Sequence, residues 1–106
     1  MKIFNIDEPK YLYEWDENKN KTNIRKHGVS FEEASSAFDD PNALTLPDEK
    51  HSDYEEHFYL IGFSVKANLL IVSHCFRDGQ VIRIISARKA ERTEKLIYTM
   101  KGADYE

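Results

Sequence analysis

The order of segments along the chain predicts an α+β fold, with two helical stretches before residue 41, three strand-like stretches between His57 and Ala87, and a closing helix. Three observations carry it. Capping signals bracket residues 16–28 and 30–41, the hydrophobic period changes to that of a sheet from Glu55, and Asp78-Gly79 is a strong hairpin signal. At 106 residues, with no repeat and no linker, the chain reads as one domain spanning residues 1–106.

The segment before Trp15 is ambiguous, although Tyr11, Tyr13 and Trp15 alternate as in a short strand. Asp16 is a good N-cap, residues 17–27 contain neither Pro nor Gly, and Gly28 suits the left-handed position that ends a helix. That helix is polar nearly all round, and Ile24 is its expected apolar anchor. Ser30 and Glu33 have capping-box spacing, with the hydroxyl accepting from the third N–H and the carboxylate reaching back. Phe31, Ala34 and Phe38 then form a buried stripe that Asp39-Asp40-Pro41 ends. Residues 42–53 read as a solvated loop or short irregular strand.

His57–Ile61, Leu69–Phe76 and Val81–Ala87 are rich in β-branched and aromatic residues, as strands require. A two-residue turn at Asp78-Gly79 would set His74 opposite Arg83 and Arg77 opposite Gln80, on opposite faces of the ribbon. Residues 90–101 have helical propensity, with Leu96, Ile97 and Met100 as the expected apolar side and Gly102 as the stop.

Hydrophobic residues make up 41% and charged residues 32%, too apolar a mixture for a disordered chain. No apolar run is long enough to span a bilayer, and Met1–Lys10 lacks the pattern of a signal peptide, so a cytoplasmic address without membrane contact is expected. The net charge of −4 argues by itself against a nucleic-acid binder, but it conceals an asymmetry. Residues 1–60 hold 7 Lys+Arg against 14 Asp+Glu, whereas residues 61–106 hold 8 against 5. Folding can therefore gather a cationic surface on an anionic protein.

Three constellations offer chemistry. Lys26-His27 stands at the carbonyl end of a helix, where the dipole favours an imidazolium, so His27 is a candidate acid or cation; the alternative is a histidine that only caps carbonyls. Arg77, Arg83 and Arg88 occupy strand positions that are costly for guanidinium groups unless they meet carboxylates or an anion. Glu55 and Glu56 open the first strand, and alternation allows at most one of them to join the arginines. Nucleotide-loop, hydrolase-elbow and zinc-protease motifs are all missing from the sequence, and a metal site would need a tertiary coincidence among His51, His57 and His74. Cys75 reads as core filler, and no cofactor is called for.

Glu14-Trp15-Asp16, Lys19, Asn23, Lys26-His27-Gly28-Val29, Phe31-Glu32-Glu33-Ala34, Phe38 and Asp40-Pro41 occur in the order of a known pattern. Ile61-Gly62, Arg77, the run Arg83 to Ala90, Glu94 and Tyr98 complete it. Over roughly residues 13–98 the chain resembles the BrnT toxin family. The resemblance implies a RelE-like fold, with N-terminal helices and a C-terminal helix packed on a small antiparallel sheet. It implies an endoribonuclease of a type II toxin-antitoxin pair that arrests translation, neutralised by a BrnA-type ribbon-helix-helix antitoxin. That complex, rather than the toxin alone, would contact promoter DNA. Carried onto this sequence, the functional positions are Lys26, His27, Glu55 or Glu56, Arg77, Arg83 and Arg88, and His57 stands where members usually have arginine.

The chemistry implied needs no metal. RNA brings its own nucleophile, the 2′-hydroxyl, so the protein must supply a base, cations for the crowded phosphorane and an acid for the leaving oxygen. Glutamate or His27 fits the base, and the arginines fit the cations. Tyr54 and Phe76 are candidates for stacking an unpaired base. The competing expectation is a non-catalytic subunit whose same cations dock an acidic antitoxin segment for co-repression.

Overall fold

The computed structural model describes residues 11–103. The reading of Met1–Lys10 lies outside the described residues, whereas the strand-like alternation of Tyr11, Tyr13 and Trp15 falls within them and forms a short strand. The elements are β1 (Leu12–Glu14), α1 (Glu17–His27), α2 (Phe31–Ser36), β2 (Leu44–Pro47), β3 (Phe58–Phe63), β4 (Leu69–Arg77), β5 (Val81–Lys89) and α3 (Arg92–Ala103). Short 3-10 turns follow α2 (Ala37–Asp39) and β2 (Glu49–His51).

The caps form as the sequence predicts. Asp16 accepts from the N–H of Asn18 and Lys19, Gly28 closes α1 at φ 70°, and Ser30 Oγ accepts from Glu33 N at 3.0 Å. The second half of the capping box does not form. Glu33 turns inward, where Ser64 Oγ and Asn68 Nδ2 donate to it at 2.7 and 2.8 Å. A buried carboxylate needs donors, and the β3–β4 loop supplies two.

The α+β class holds, and the three predicted strands are the centre of a larger sheet of order β1-β5-β4-β3-β2. The sheet is mixed rather than wholly antiparallel, because β1 runs parallel to β5 through Leu12↔Val81 to Glu14↔Arg83. The main core lies under α2 on one face, built on Val29, Phe31, Ala34, Leu60, Leu70, Val72, Ile82 and Ile84. A smaller cluster of Ile61, Ile71 and Ala90, with Tyr59, Leu69 and Tyr98 against it, lies on the other face beside α3.

Two expectations about helix faces fail. Ile24 remains 43% exposed, and α1 instead buries Asn20 and Asn23. Asn20 accepts from Phe31 N at 2.8 Å and donates to Glu17 at 3.0 Å, while for Asn23 the cause is the edge of β5. Among the described residues no strand covers that edge beyond Arg83, so its backbone groups need partners, and an amide offers both a donor and an acceptor. In α3, Leu96, Ile97 and Met100 stay exposed. The helix is held by Tyr98, whose hydroxyl donates to Asp40 at 2.7 Å, and by Glu94. Burial and the Asp40 carboxylate push the Tyr98 phenol up to about 12.

Candidate active site

Register decides which side chains can meet. The β4–β5 turn contains three residues, Asp78, Gly79 and Gln80, with Asp78 and Gly79 at φ 35° and 78°. Cys75 therefore faces Arg83 and Arg77 faces Val81, one residue away from the predicted pairing. Arg77 and Arg83 consequently share a face, correcting the expectation that they diverge. Arg83 and Arg88 are five positions apart, an odd offset that would send them to opposite faces of a regular strand. A bulge at Ile85, where the pairing passes from His74↔Ile84 to Ser73↔Ser86, restores the parity. All three arginines thus lie on the sheet face opposite the main core.

Asn23 brings α1 to that face. Its Oδ1 accepts from Ala87 N at 3.1 Å, and its Nδ2 donates to Ala87 O at 2.7 Å and Val29 O at 2.9 Å. Bound to the free edge of β5, the last turn of α1 carries His27 to the sheet rim. There a cleft of about 540 Å³ opens, lined by His27, Asp48, His51, Tyr59, Ile71, Ser73, Ser86, Ala87, Arg88 and Glu94. His51 Nδ1 lies 2.9 Å from Asp48 Oδ2, a carboxylate–imidazole pair that orients the ring and leaves Nε2 available. Two imidazoles, a guanidinium, a phenol and two hydroxyls therefore share one concave surface.

Arg88 is tied down within it. Its Nη1 and Nη2 donate to both Glu94 oxygens at 2.9 and 2.7 Å, and Glu94 Oε1 also accepts from Glu91 N at 2.7 Å. The hydrogen bonds from Arg88 hold the Glu94 carboxyl below its ordinary value, overcoming partial burial. This fork joins β5 to the start of α3.

Farther toward the hairpin tip, Arg83 pairs with Glu14 at 3.0 Å and Arg77 with Glu55 at 3.3 Å. Glu55 also meets His57 Nε2 at 3.5 Å and Cys75 Sγ at 3.7 Å. Burial, then Glu55, pushes the Cys75 thiol up. Glu56 is exposed and outside the cleft, and Lys26 faces a shallower depression shared with Asp16, Lys19, His27 and Ser86.

Of the sequence candidates, the structure places His27 and Arg88 in the cleft. It sets Arg83, Arg77 and Glu55 along the same sheet face, and keeps Lys26 and Glu56 outside the cleft. Tyr54 is fully exposed, while Phe76 packs with Phe58 and His74 on the core side, away from the cleft. Asp48, His51, Tyr59, Ser73 and Ser86 also line the cleft, a placement the sequence did not predict. The Asp48-His51 spacing of three, a single turn apart, was the available signal.

The family described as the ribonuclease toxin BrnT of type II toxin-antitoxin systems matches residues 15–94. Among solved structures, the chain is similar to the crystal structure of the Brucella abortus ribonuclease toxin BrnT. The two are 25% identical with a TM-score of 0.61, covering 77% of this chain and 99% of that one. No curated protein sequence matches it.

Proposed function

The chain belongs to the BrnT family of ribonuclease toxins from type II toxin-antitoxin systems, and on that premise we propose that it cleaves RNA in the cleft between α1, the turn after β2 and strand β5. The observation that carries this reading is the convergence of His27, the Asp48–His51 pair and Arg88 on one cleft from three separate parts of the chain.

The scission divides into proton transfers and charge stabilisation. One imidazole takes the proton of the 2′-hydroxyl as its oxygen attacks the adjacent phosphorus, and the other protonates the departing 5′-oxygen. His51, backed by Asp48, suits the base, because the carboxylate stabilises the imidazolium that forms. His27, at the carbonyl end of α1, suits the acid. Arg88, Tyr59 and the hydroxyls of Ser73 and Ser86 face the phosphorane. Arg83 and Arg77 continue the cationic track for flanking phosphates. Their ion pairs are partly exposed, a class of interaction worth only about 0.2–1 kcal/mol, so a phosphate can displace Glu14 or Glu55 at small cost. Cleavage of RNA in this way arrests translation.

Membership in a type II family implies an antitoxin partner. In this reading the antitoxin is a BrnA-type ribbon-helix-helix protein, and promoter DNA is reached only through the complex. No helix among the described residues is long and apolar enough to cross a membrane. In this reading the protein acts in the cytoplasm.

Purified protein incubated with single-stranded RNA tests the reading. His27→Ala and His51→Ala are each expected to slow cleavage by about 10²–10⁴-fold. Undiminished cleavage by the double variant, or none by the wild type, overturns it. One observation favours the non-catalytic co-repressor instead: each site arginine already has a carboxylate partner. Expression without antitoxin separates the two, since a non-catalytic subunit leaves growth and bulk translation intact.

A further inference from the structure

Beside the cleft, the same sheet face carries a second cluster whose chemistry differs from phosphate binding. Glu55 and His57 precede β3 and Cys75 lies in β4; one potential ligand atom from each falls within 4.8 Å of the others. Register explains the meeting. Phe58 pairs with His74, so His57 and Cys75, one step outward on each strand, come opposite one another. Glu55 then folds over both, with Oε1 3.5 Å from His57 Nε2 and 3.7 Å from Cys75 Sγ.

The two Glu55 separations are close to those of coordination, and His57 and Cys75, within 4.8 Å of one another, must draw together. Bonds of about 2.0–2.3 Å to oxygen, nitrogen and sulfur in tetrahedral geometry set ligand atoms roughly 3.3–3.6 Å apart, so a small inward closure suffices. We propose that Glu55, His57 and Cys75 form a binding site for a single thiophilic divalent cation of the zinc class. Three protein ligands leave one position for water, on the side where Glu55 is open to solvent. A thiolate and an imidazole select zinc-like ions over magnesium or calcium, whose preferred ligands are oxygens. On binding, the Cys75 S–H bond breaks, its proton goes to solvent, and the sulfur lone pair forms the bond to the metal. Glu55 then shares its charge with the ion, which loosens the Arg77 pair and frees that guanidinium for another anion.

Cobalt(II) titration of the reduced, full-length protein tests the site without reference to RNA cleavage. One equivalent per chain is expected to give a thiolate-to-cobalt charge-transfer band with the visible bands of a tetrahedral ion, and zinc(II) should displace it. Cys75→Ser is expected to abolish the charge-transfer band. Because Cys75 is buried, His57→Gln and Glu55→Gln provide a second arm, each weakening cobalt affinity at least tenfold while the far-ultraviolet circular dichroism stays native. Absence of the thiolate band from folded wild-type protein overturns the proposal, as does affinity unchanged in His57→Gln and Glu55→Gln.

Discussion

Replacing Asn23 with alanine should loosen the attachment of α1 to the sheet and, with it, the placement of His27. The amide makes three hydrogen bonds, to Ala87 N, Ala87 O and Val29 O, and Asn23 itself is only 5% exposed. Ala87 and Val29 are equally shielded, so their backbone groups lose these partners with little water to replace them. At about 1 kcal/mol per bond, the expected loss is about 3 kcal/mol. For a domain of this size that is roughly 12–24 °C in melting temperature. Urea denaturation of Asn23→Ala against wild type, analysed with a common slope, measures it. Asn23→Asp is an informative companion. It keeps the acceptor for Ala87 N but turns a carboxylate toward two carbonyl oxygens, so it should do no better than alanine. A loss below 1 kcal/mol in Asn23→Ala would refute edge capping as the device that docks α1.

Two further outcomes follow from packing and protonation. A Cβ on Gly62 would stand 2.8 Å from Ala37 O, 3.0 Å from Leu60 Cδ2 and 3.1 Å from Ala43 Cβ, so Gly62→Ala must push the turn after α2 off β3. A loss of about 2 kcal/mol or more is expected in the same denaturation assay. His74 is enclosed by Phe38, Phe58 and Phe76, donates Nδ1–H to Val72 O at 3.0 Å, and has no partner for Nε2 among the described residues. Burial lowers its pKa below the ordinary 6.5, so below that pH the unfolded chain binds more protons than the folded one. Stability should be full above pH 6.5 and fall on acidification, by at most about 1.4 kcal/mol per pH unit from this group. Asp40 and Glu94, lowered from 3.8 and 4.5, add their losses only at more acid pH. The slope between pH 6.5 and 5.5 should flatten in His74→Leu, and an unchanged slope assigns it elsewhere.

Much of the frame was readable before folding was considered. The caps at Asp16, Gly28 and Ser30 depend on groups within four residues of one another, and the hairpin signal at Asp78-Gly79 is equally local. The site was less accessible because it depends on parity. One extra turn residue reversed the relation between Arg77 and Arg83, and the bulge at Ile85 reversed that of Arg88. Neither leaves a strong local mark, since each is selected by burial of Leu70, Val72, Ile82 and Ile84 on the far face. His51, weighed in the sequence only as a metal ligand, was not foreseen in the cleft for a related reason: its segment is polar and exposed, and only the path of β2 along β3 carries it there.

The amino-acid order by itself determined the helices, the three central strands, the family and the supply of arginine, histidine and glutamate, all of which rest on local preferences and ordered motifs. Tertiary structure alone decided the company those side chains keep: Arg83 with Glu14, Arg88 with Glu94, His27 in one cleft with His51, and Glu55 over Cys75. Local preferences act through neighbours in the chain, whereas these encounters depend on strand register and on an amide at a sheet edge. Their energies exist only once the core has closed.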